Sequence, residues 1–286
     1  MVDGKIILSI DKKEGKTMDD MSNKVMISVA PVAATDKNIV PEKIAKDVID
    51  CAKAGASMVH LHVRDEQGNL TTDMSVLNKT LELIRKDSDI IIEVSTGGVS
   101  NLNIKERCVP LYSDMVEACS LNVGSTNLGK AVYCNPIDDV KYCVEEILKT
   151  GKTPEVEVFE IGHSYAMEEL MNEYKFIEPV LFSIVLGHKG EAPPTPKALA
   201  NMISMIPQKG IWGITHANRR DFGIIAAALG MGAKTVRVGF EDSNYLDPYT
   251  TVETNLPIVE KTVKLLYAMD KAPMTPAEAR AYFKIK

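Results

Sequence analysis

The 286-residue chain has few of the features that mark disulfide-rich or membrane proteins. Its five cysteines include no CxxC pair, and an odd number spread over a chain of this length gives no disulfide framework. They are Cys51, Cys108, Cys119, Cys134 and Cys143. The short apolar run at residues 6–10 is flanked by charged residues and is too short for a signal peptide or a membrane anchor. We therefore expect a cytoplasmic protein without a membrane segment.

An excess of positive charge is also absent. Lysine and arginine number 33 against 39 acidic residues, which gives a net charge of −6 and argues against a nucleic-acid partner. Low-complexity tracts are missing, and the 45% hydrophobic and 25% charged fractions are those of an ordinary globular protein. The composition is thus sufficient for a full core and favours small-molecule partners.

The first 24 residues differ from the rest. Residues 11–24 are polar and show no helical or strand period, so we predict an appendage over 1–24, with Met18 or Met21 as alternative starts. A single domain is expected over 25–286, because the patterning is continuous from there onward.

Eight runs rich in β-branched residues alternate with amphipathic helical patterns in this domain. The predicted strands are 25–31, 58–65, 90–96, 115–122, 154–160, 180–187, 210–217 and 235–242. Their starts recur about every 30 residues, the size of one βα unit. Eight such units predict an α/β protein with a (β/α)8 TIM barrel fold.

Within the predicted strands, apolar residues alternate with polar ones that carry reactive groups. In 58–65, Val59 and Leu61 share one face, whereas His60 and His62 share the other. The aliphatic faces should meet the helix layer, which turns the polar faces into the barrel. Because a barrel interior is usually aliphatic, buried imidazoles, carboxylates and a guanidinium require one another or a metal.

The spacing of His60 and His62 predicts a metal site. Residues i and i+2 of a strand project to the same side, and Glu241 closes the last strand on its polar face. Two histidines and one carboxylate leave open positions on Zn²⁺, as catalytic sites do, although Fe²⁺ or Mn²⁺ would suit the same ligands. A pair of core histidines bridged by Glu241 is the alternative. The other histidines, His163, His188 and His216, are expected near the same rim, as ligands or as structural residues.

Further polar groups surround this predicted site. Arg237 could hold a carboxylate or stabilise an enolate, and Asp242 is either its partner or a general base. The third strand ends in Ser95, Thr96, Gly97 and Gly98, a set of hydroxyls and turn amides that could bind an anion or form a plain turn. Ser120 and Asn122 share one face of the fourth strand and could extend this anion cradle.

The runs GASMVHLHVRDEQG, IIIEVSTGG, TPEVEVFEIG, FSIVLG and VRVGFEDSNY, in this order, resemble the β-keto acid cleavage enzyme family. The resemblance covers residues 25 to 284. It implies a zinc-dependent TIM barrel, usually a homotetramer, that reacts a β-keto acid with acetyl-CoA to give acetoacetate and a new acyl-CoA.

The resemblance also implies roles for particular residues. It makes His60, His62 and Glu241 the zinc ligands. It assigns the keto acid to Ser95, Gly97, Gly98, Ser120 and Asn122. Arg237 and Asp242 would be the dyad that takes a proton from the acetyl-CoA methyl. Since a guanidinium is a poor proton acceptor, we assign the base role to Asp242 and let Arg237 orient it and stabilise charge.

The chain departs from the members that cleave 3-keto-5-aminohexanoate at positions that bear on specificity. Those members carry a glutamate after the first strand, where this chain has residues 34–36, Ala-Thr-Asp. Glu157 matches their inward carboxylate, which would favour a cationic substrate group or pair with a core base. Arg219, Arg220 and Lys189 are candidates for the CoA phosphates, with plain surface solvation as the alternative.

Two other functions fit parts of this pattern. Metal-dependent amidohydrolases also combine an HxH pair with a carboxylate on the eighth strand, but their pair usually lies on the first strand rather than the second. An inactive metal- or CoA-binding barrel would keep the ligands and lack Arg237 and Asp242, both of which are present.

Overall fold

A computed structural model describes residues 21–286, which form a closed parallel barrel. Most of the predicted appendage at 1–24 lies outside the described residues. The barrel strands are β1 (Lys24–Val29), β2 (Met58–Leu61), β3 (Ile91–Val94), β4 (Ala118–Asn122), β5 (Thr153–Val158), β6 (Val180–Leu186), β7 (Gly210–His216) and β8 (Thr235–Val238). Each strand pairs in parallel with the next, and β8 pairs with β1. The predicted (β/α)8 barrel is confirmed.

The helices follow the strands around the outside. They are α1 (Pro41–Ala54), α2 (Ser75–Asp87), α3 (Ile104–Arg107), α4 (Ile137–Thr150), α5 (Ile161–Glu173), α6 (Pro196–Ser204), α7 (Gly223–Gly230), α8 (Leu256–Ala268) and α9 (Pro276–Phe283). Several begin at a proline, whose fixed φ suits the first helical turn. Over residues 21–286, every helix falls short of the length and apolar character that a membrane crossing requires.

Two short hairpins, which the sequence patterning did not predict, rise from the carboxyl ends of the strands. One joins Thr126–Leu128 to Ala131–Tyr133 after β4, and the other joins Tyr245–Asp247 to Thr250–Thr251 after β8. Strands of two or three residues are too short for alternation to show. The first hairpin lies on the loop after β6, because Gly129 N donates a hydrogen bond of 3.0 Å to the Lys189 carbonyl.

The barrel interior is divided into an apolar and a polar level. At the amino ends of the strands, inward residues pack with the C-terminal helix in a cluster that we call the apolar floor. It comprises Met26, Met58, Ile91, Ala118, Leu181, Met274, Ala279, Phe283 and Ile285. Above it, the next inward positions are polar: His60 is in register with Glu93, Ser120 with Glu155, and Thr215 with Arg237. The outward aliphatic faces meet the helices in a separate core, as predicted.

The apolar floor yields a stability prediction. Phe283 is 1% exposed and closes the bottom of the barrel, so Phe283→Ala should lower the free energy of unfolding by about 3–5 kcal/mol through lost burial and the cavity that remains. Denaturant unfolding would measure this. Tyr267→Ala, at a helix position that is 61% exposed, is the control and should change the free energy by less than about 0.5 kcal/mol. Equal effects of both substitutions would contradict the conclusion that Phe283 of α9 closes the bottom of the barrel.

Candidate active site

Three potential metal ligands converge above the polar level of the barrel. The Nε2 atoms of His60 and His62 lie 3.8 and 3.4 Å from Glu241 Oε1. Ligand atoms about 2.0–2.1 Å from a tetrahedral Zn²⁺ are about 3.3–3.4 Å apart, so the donor set and its spacing fit such an ion after small adjustments. The geometry also accommodates Fe²⁺ or Mn²⁺, which bind the same types of ligand.

The backbone explains how Glu241 reaches this position. The chain turns back over β1 after β8, and Glu241 N donates to the Ala30 carbonyl at 3.1 Å. Gly239, at the turn, has a φ of +133°, and a Cβ there would stand 2.4 Å from Ala30 O. Only glycine allows this approach, because it has no Cβ and tolerates positive φ.

A carboxyl behind His60 orients its ring. Glu93 Oε2 lies 2.9 Å from His60 Nδ1, an arrangement that leaves Nε2 free to face Glu241 and a metal. Burial, aided by the charge of Glu157, raises the pKa of Glu93 to about 8. Burial and the neighbouring Glu93 also raise the pKa of Glu155 well above its usual range. Both shifts have the same physical cause, the cost of placing several negative charges close together in the barrel interior.

Arg237 is a buried guanidinium shared by three carboxylates. Its Nε and Nη2 donate to Asp242 at 3.1 and 2.8 Å, its Nη1 donates to Glu157 at 3.0 Å, and its Nη2 approaches Glu241 at 3.4 Å. Burial opposes its charge, but the carboxylates of Asp242, Glu241 and Glu157 outweigh burial and hold the pKa of Arg237 well above its usual value. The residue is thus a fixed cation at the centre of the site.

Asp242 is buried beside Arg237 and, unlike Arg237, is not part of the cavity lining. It is 6% exposed, both of its carboxylate oxygens accept from the guanidinium, and its backbone carbonyl accepts from Asn218 N at 2.8 Å. Its predicted role as the partner of Arg237 agrees with this geometry, while its role as the base stays a prediction.

The predicted anion cradle is divided between the cavity surface and a supporting layer. Ser95 and Gly98 line the cavity. Behind them, Ser120 Oγ lies 3.3 Å from Ser95 Oγ and accepts from Thr96 N at 3.2 Å, while Thr96 Oγ1 donates to the Ser120 carbonyl at 2.7 Å. Thr96 and Ser120 therefore fix the position of Ser95 and lie away from the cavity surface.

Gly97 and Asn122 belong to the same supporting region. A Cβ on Gly97 would stand 1.9 Å from Tyr133 Oη and 3.0 Å from Asn122 Nδ2, so close packing requires glycine here. The amide oxygen and nitrogen of Asn122 are buried and have no hydrogen-bond partner within residues 21–286, and the side chain is adjacent to the cradle. Asn122 thus has free hydrogen-bonding capacity that a bound anion or a water molecule could take.

A cavity of about 830 Å³ opens above these residues at the carboxyl ends of the strands, where TIM barrels place their active sites. Its lining includes His60, His62, Ser95, Gly98, Glu157, Arg237 and Glu241. Most of the predicted site residues therefore lie on or directly behind one surface. The volume is large enough for a small keto acid and part of a second, longer molecule.

The other histidines and arginines divide between the cavity and the structure around it. His188 lines the cavity, whereas His163 accepts from Phe159 N through Nδ1 at 3.3 Å and His216 projects from the outward face of β7. Arg219 is 1% exposed and lies over the Phe222 ring at 4.2 Å, so a CoA phosphate could not reach it.

Several cavity residues were not singled out from the sequence. Phe159 follows Glu157 by two positions on the same face of β5, so strand alternation could have identified it. Tyr133 comes from the unpredicted hairpin and Lys37 from a loop, where no periodic pattern indicates direction, whereas Arg64 continues the face of His60 and His62 in the predicted strand 58–65 and does line the cavity. The placement of Tyr133 and Lys37 depends on the tertiary fold.

Comparison with known proteins identifies the family. A family model described as beta-keto acid cleavage enzyme matches residues 24–285. The 3-keto-5-aminohexanoate cleavage enzyme of Fusobacterium nucleatum is 35% identical over 251 residues, which cover 86% of this chain and 89% of that protein. The 3-dehydrocarnitine:acetyl-CoA trimethylamine transferase of Rhizobium meliloti is 27% identical, with 93% and 98% covered.

Solved structures show the same fold. The apo structure of ObcA has a TM-score of 0.75 at 19% identity, and the match covers 87% of this chain and 65% of the ObcA chain, so this chain spans just under two thirds of that protein's length. The fold comparison agrees with the barrel, and the family match extends over almost all of the described residues. The chain therefore belongs to the beta-keto acid cleavage enzyme family.

Proposed function

We propose that the protein uses a divalent metal to convert a β-keto acid and acetyl-CoA into acetoacetate and a new acyl-CoA. The observation that carries the proposal is the convergence of His60, His62 and Glu241 beside the Arg237–Asp242 pair in one cavity. Relatives named as acetyl-CoA transferases act, by their names, on 3-dehydrocarnitine, 3-oxoadipate or 3,5-dioxohexanoate, which supports acetyl-CoA as the second substrate. A cytoplasmic location and a homotetrameric assembly stay predictions from the resemblance.

Zinc is the proposed resident metal. When bound by His60, His62 and Glu241, it would supply a Lewis acid that polarises the ketone of the substrate. Glu93 would support this site by accepting a hydrogen bond from His60 Nδ1, which would keep His60 in the tautomer whose Nε2 can bind the metal.

The atom balance of the reaction determines which proton must be removed. Acetoacetate contains the CH₂–COO⁻ unit of the keto acid joined to the acetyl group, so the new bond links C2 of the keto acid to the thioester carbonyl. We therefore propose that the proton leaves C2, which is acidified by the ketone and the carboxylate, rather than the acetyl-CoA methyl. The CoA thiolate leaves, adds to the C3 ketone, and forms the acyl-CoA as the C2–C3 bond breaks and C2 regains a proton.

Arg237 and Asp242 would manage this proton and the developing negative charge. Asp242 is the proposed acceptor, and the bidentate contact with Arg237 orients its carboxylate. The guanidinium, fixed in a buried site, would stabilise the enolate electrostatically. Ser95 and the Gly98 backbone would hold the substrate carboxylate, with Thr96, Gly97, Ser120 and Asn122 supporting that cradle.

Acetyl-CoA would enter from the cavity mouth. Lys37 and Lys189 line the cavity there, and neither forms an ion pair among the residues that the structure describes. Since Arg219 is buried, these lysines replace it as the proposed contacts for the CoA phosphates.

The central test is an acetyl-CoA consumption assay on zinc-loaded protein with a panel of β-keto acids. We expect acetoacetate only when both substrates are present, because the thioester carbonyl is a reactant. Keto acid consumed at the same rate without acetyl-CoA would instead favour the hydrolase alternative.

Metal removal provides the second test. His62→Ala should reduce bound zinc from one equivalent to below about 0.1 equivalent at micromolar metal and lower kcat/KM at least 100-fold, because one of three ligands is lost. Elemental analysis after dialysis would measure the metal. His216→Asn, at a histidine on the outward face of β7, is the matched control and should keep one equivalent. Full zinc occupancy in His62→Ala would exclude the proposed ligand set.

Isotope exchange tests the proton acceptor. Asp242→Asn should slow exchange of the C2 proton of the keto acid with D₂O by about 10²–10⁴-fold while bound metal is unchanged, because the general base is lost. NMR without acetyl-CoA would follow this exchange. Glu157→Gln is the comparison, since Glu157 also touches Arg237. Exchange that survives in Asp242→Asn but stops in Glu157→Gln would transfer the base role to Glu157.

A further inference from the structure

One wall of the cavity carries no charge. It is formed by Leu128, Tyr133, Phe159 and His188, which we call the acyl wall. The Phe159 ring lies 6.4 Å from the Tyr133 ring and 6.3 Å from the His188 ring, measured between centroids. The three rings form a continuous surface, and Leu128 extends it along the hairpin. Such a surface favours contact with apolar carbon atoms of a substrate.

Glu157 lies next to the acyl wall, but its charge is already matched. Its Oε1 accepts from Arg237 Nη1 at 3.0 Å. Arg237 carries one positive charge and meets three carboxylates: Glu157, Asp242 and Glu241. With the divalent cation that the proposed function places at Glu241, these charges sum to zero. A substrate ammonium at the wall would therefore find no carboxylate in excess.

The rest of the cavity does not supply an unpaired carboxylate for a substrate ammonium group. Among its lining residues, the only carboxylates are Glu157 and Glu241. The loop after β1 contributes Ala34 to the lining, while the Asp36 carboxylate accepts from Ala33 N at 3.0 Å within its own loop. Lys37 and Lys189 at the mouth would repel a second positive charge and attract the phosphates of CoA.

The acyl wall has two polar groups: the Tyr133 hydroxyl, which accepts from Arg107 Nη2 at 3.3 Å, and the His188 imidazole. Burial lowers the pKa of the His188 imidazole, although Asp242 opposes this effect, and this favours the neutral ring. The described residues provide no hydrogen bond to its side chain. A neutral imidazole can donate through one nitrogen and accept through the other, which suits a hydroxyl or a keto oxygen.

We infer that this site selects β-keto acids whose acyl chain is uncharged, with carbon atoms on Tyr133 and Phe159 and a hydroxyl or keto oxygen on His188. This inference rests on the proposed function, because it describes the acyl group that the same site transfers. The sequence allowed two roles for Glu157: partner of a cationic substrate group, or partner of a buried base. The inference excludes the first role and agrees with the second, with Arg237 as the base.

Four six-carbon acids of matched length separate the possibilities: 3-ketohexanoate, 3-keto-5-hydroxyhexanoate, 3-keto-5-aminohexanoate and 3-oxoadipate. Calorimetry on zinc-loaded protein without acetyl-CoA would measure binding, and turnover with acetyl-CoA would be measured separately. We expect the two neutral acids to bind at least about tenfold more tightly than the ammonium and dicarboxylate acids. Tighter binding of either charged acid would overturn the inference and leave the reaction intact. Absence of both binding and turnover for all four would overturn the proposed function as well.

Variants of the acyl wall provide a second, independent readout. Leu128→Glu adds a carboxylate to the wall and should improve the binding of 3-keto-5-aminohexanoate relative to 3-ketohexanoate at least about tenfold. Leu128→Gln is the uncharged control of equal size and should leave this ratio unchanged. A shift of the same size in both variants would show that shape rather than charge determines selection, and would overturn the inference.

The role of His188 is tested in the same way. His188→Leu should remove any advantage of 3-keto-5-hydroxyhexanoate over 3-ketohexanoate, and His188→Gln, which keeps a hydrogen-bonding group, should retain it. An unchanged ratio in His188→Leu would contradict the proposed contact.

Discussion

The site depends on the sharing of one buried guanidinium by three carboxylates. Arg237 on β8 holds Glu157 of β5 across the barrel and, after the turn at Gly239, both Glu241 and Asp242. Charges buried in this way are tolerated only when they are paired, and removal of one partner leaves the others uncompensated. The same contacts that stabilise the charges therefore fix the proposed metal ligand Glu241, the proposed proton acceptor Asp242 and the cavity residue Glu157 relative to one another.

Along the barrel axis, the apolar residues that stabilise the fold lie at a different level from the polar residues of the candidate active site. Below the polar level, Met58 and Ile91 pack against Phe283 of the C-terminal helix and exclude water. Two residues further along the same strands, His60 and Glu93 are buried and hydrogen-bonded to each other. Because residues i and i+2 of a strand project to the same side, β2 and β3 each contribute an apolar residue to the floor and a polar one to the site without a change of direction. The floor thus supports the reactive layer, and the polar groups above it meet at the open end.

The residues proposed to recognise the substrate belong to elements added to this barrel. The acyl wall combines Phe159 at the end of β5 with Tyr133 of the hairpin and His188 of the loop after β6. The hairpin is held on that loop through Gly129 and Lys189. Loops at the carboxyl ends of barrel strands can change without disturbing the strands, so a family can keep one metal site and vary the acyl group it accepts. The named substrates of the relatives include amino, trimethylammonium and dicarboxylate acids.

The sequence by itself determined the eight βα units, the inward direction of His60, His62 and Arg237, and the family, because strand alternation and local motifs are encoded over a few neighbouring residues. It did not reveal that Thr96 and Ser120 support the cradle, that Arg219 is buried over Phe222, or that Tyr133 reaches the cavity. The sequence also allowed Glu157 to pair either with a cationic substrate group or with a core base, and in the structure Glu157 accepts a hydrogen bond from Arg237. These features join residues that are far apart in the chain or lie in loops without a period, so only closure of the barrel decided them.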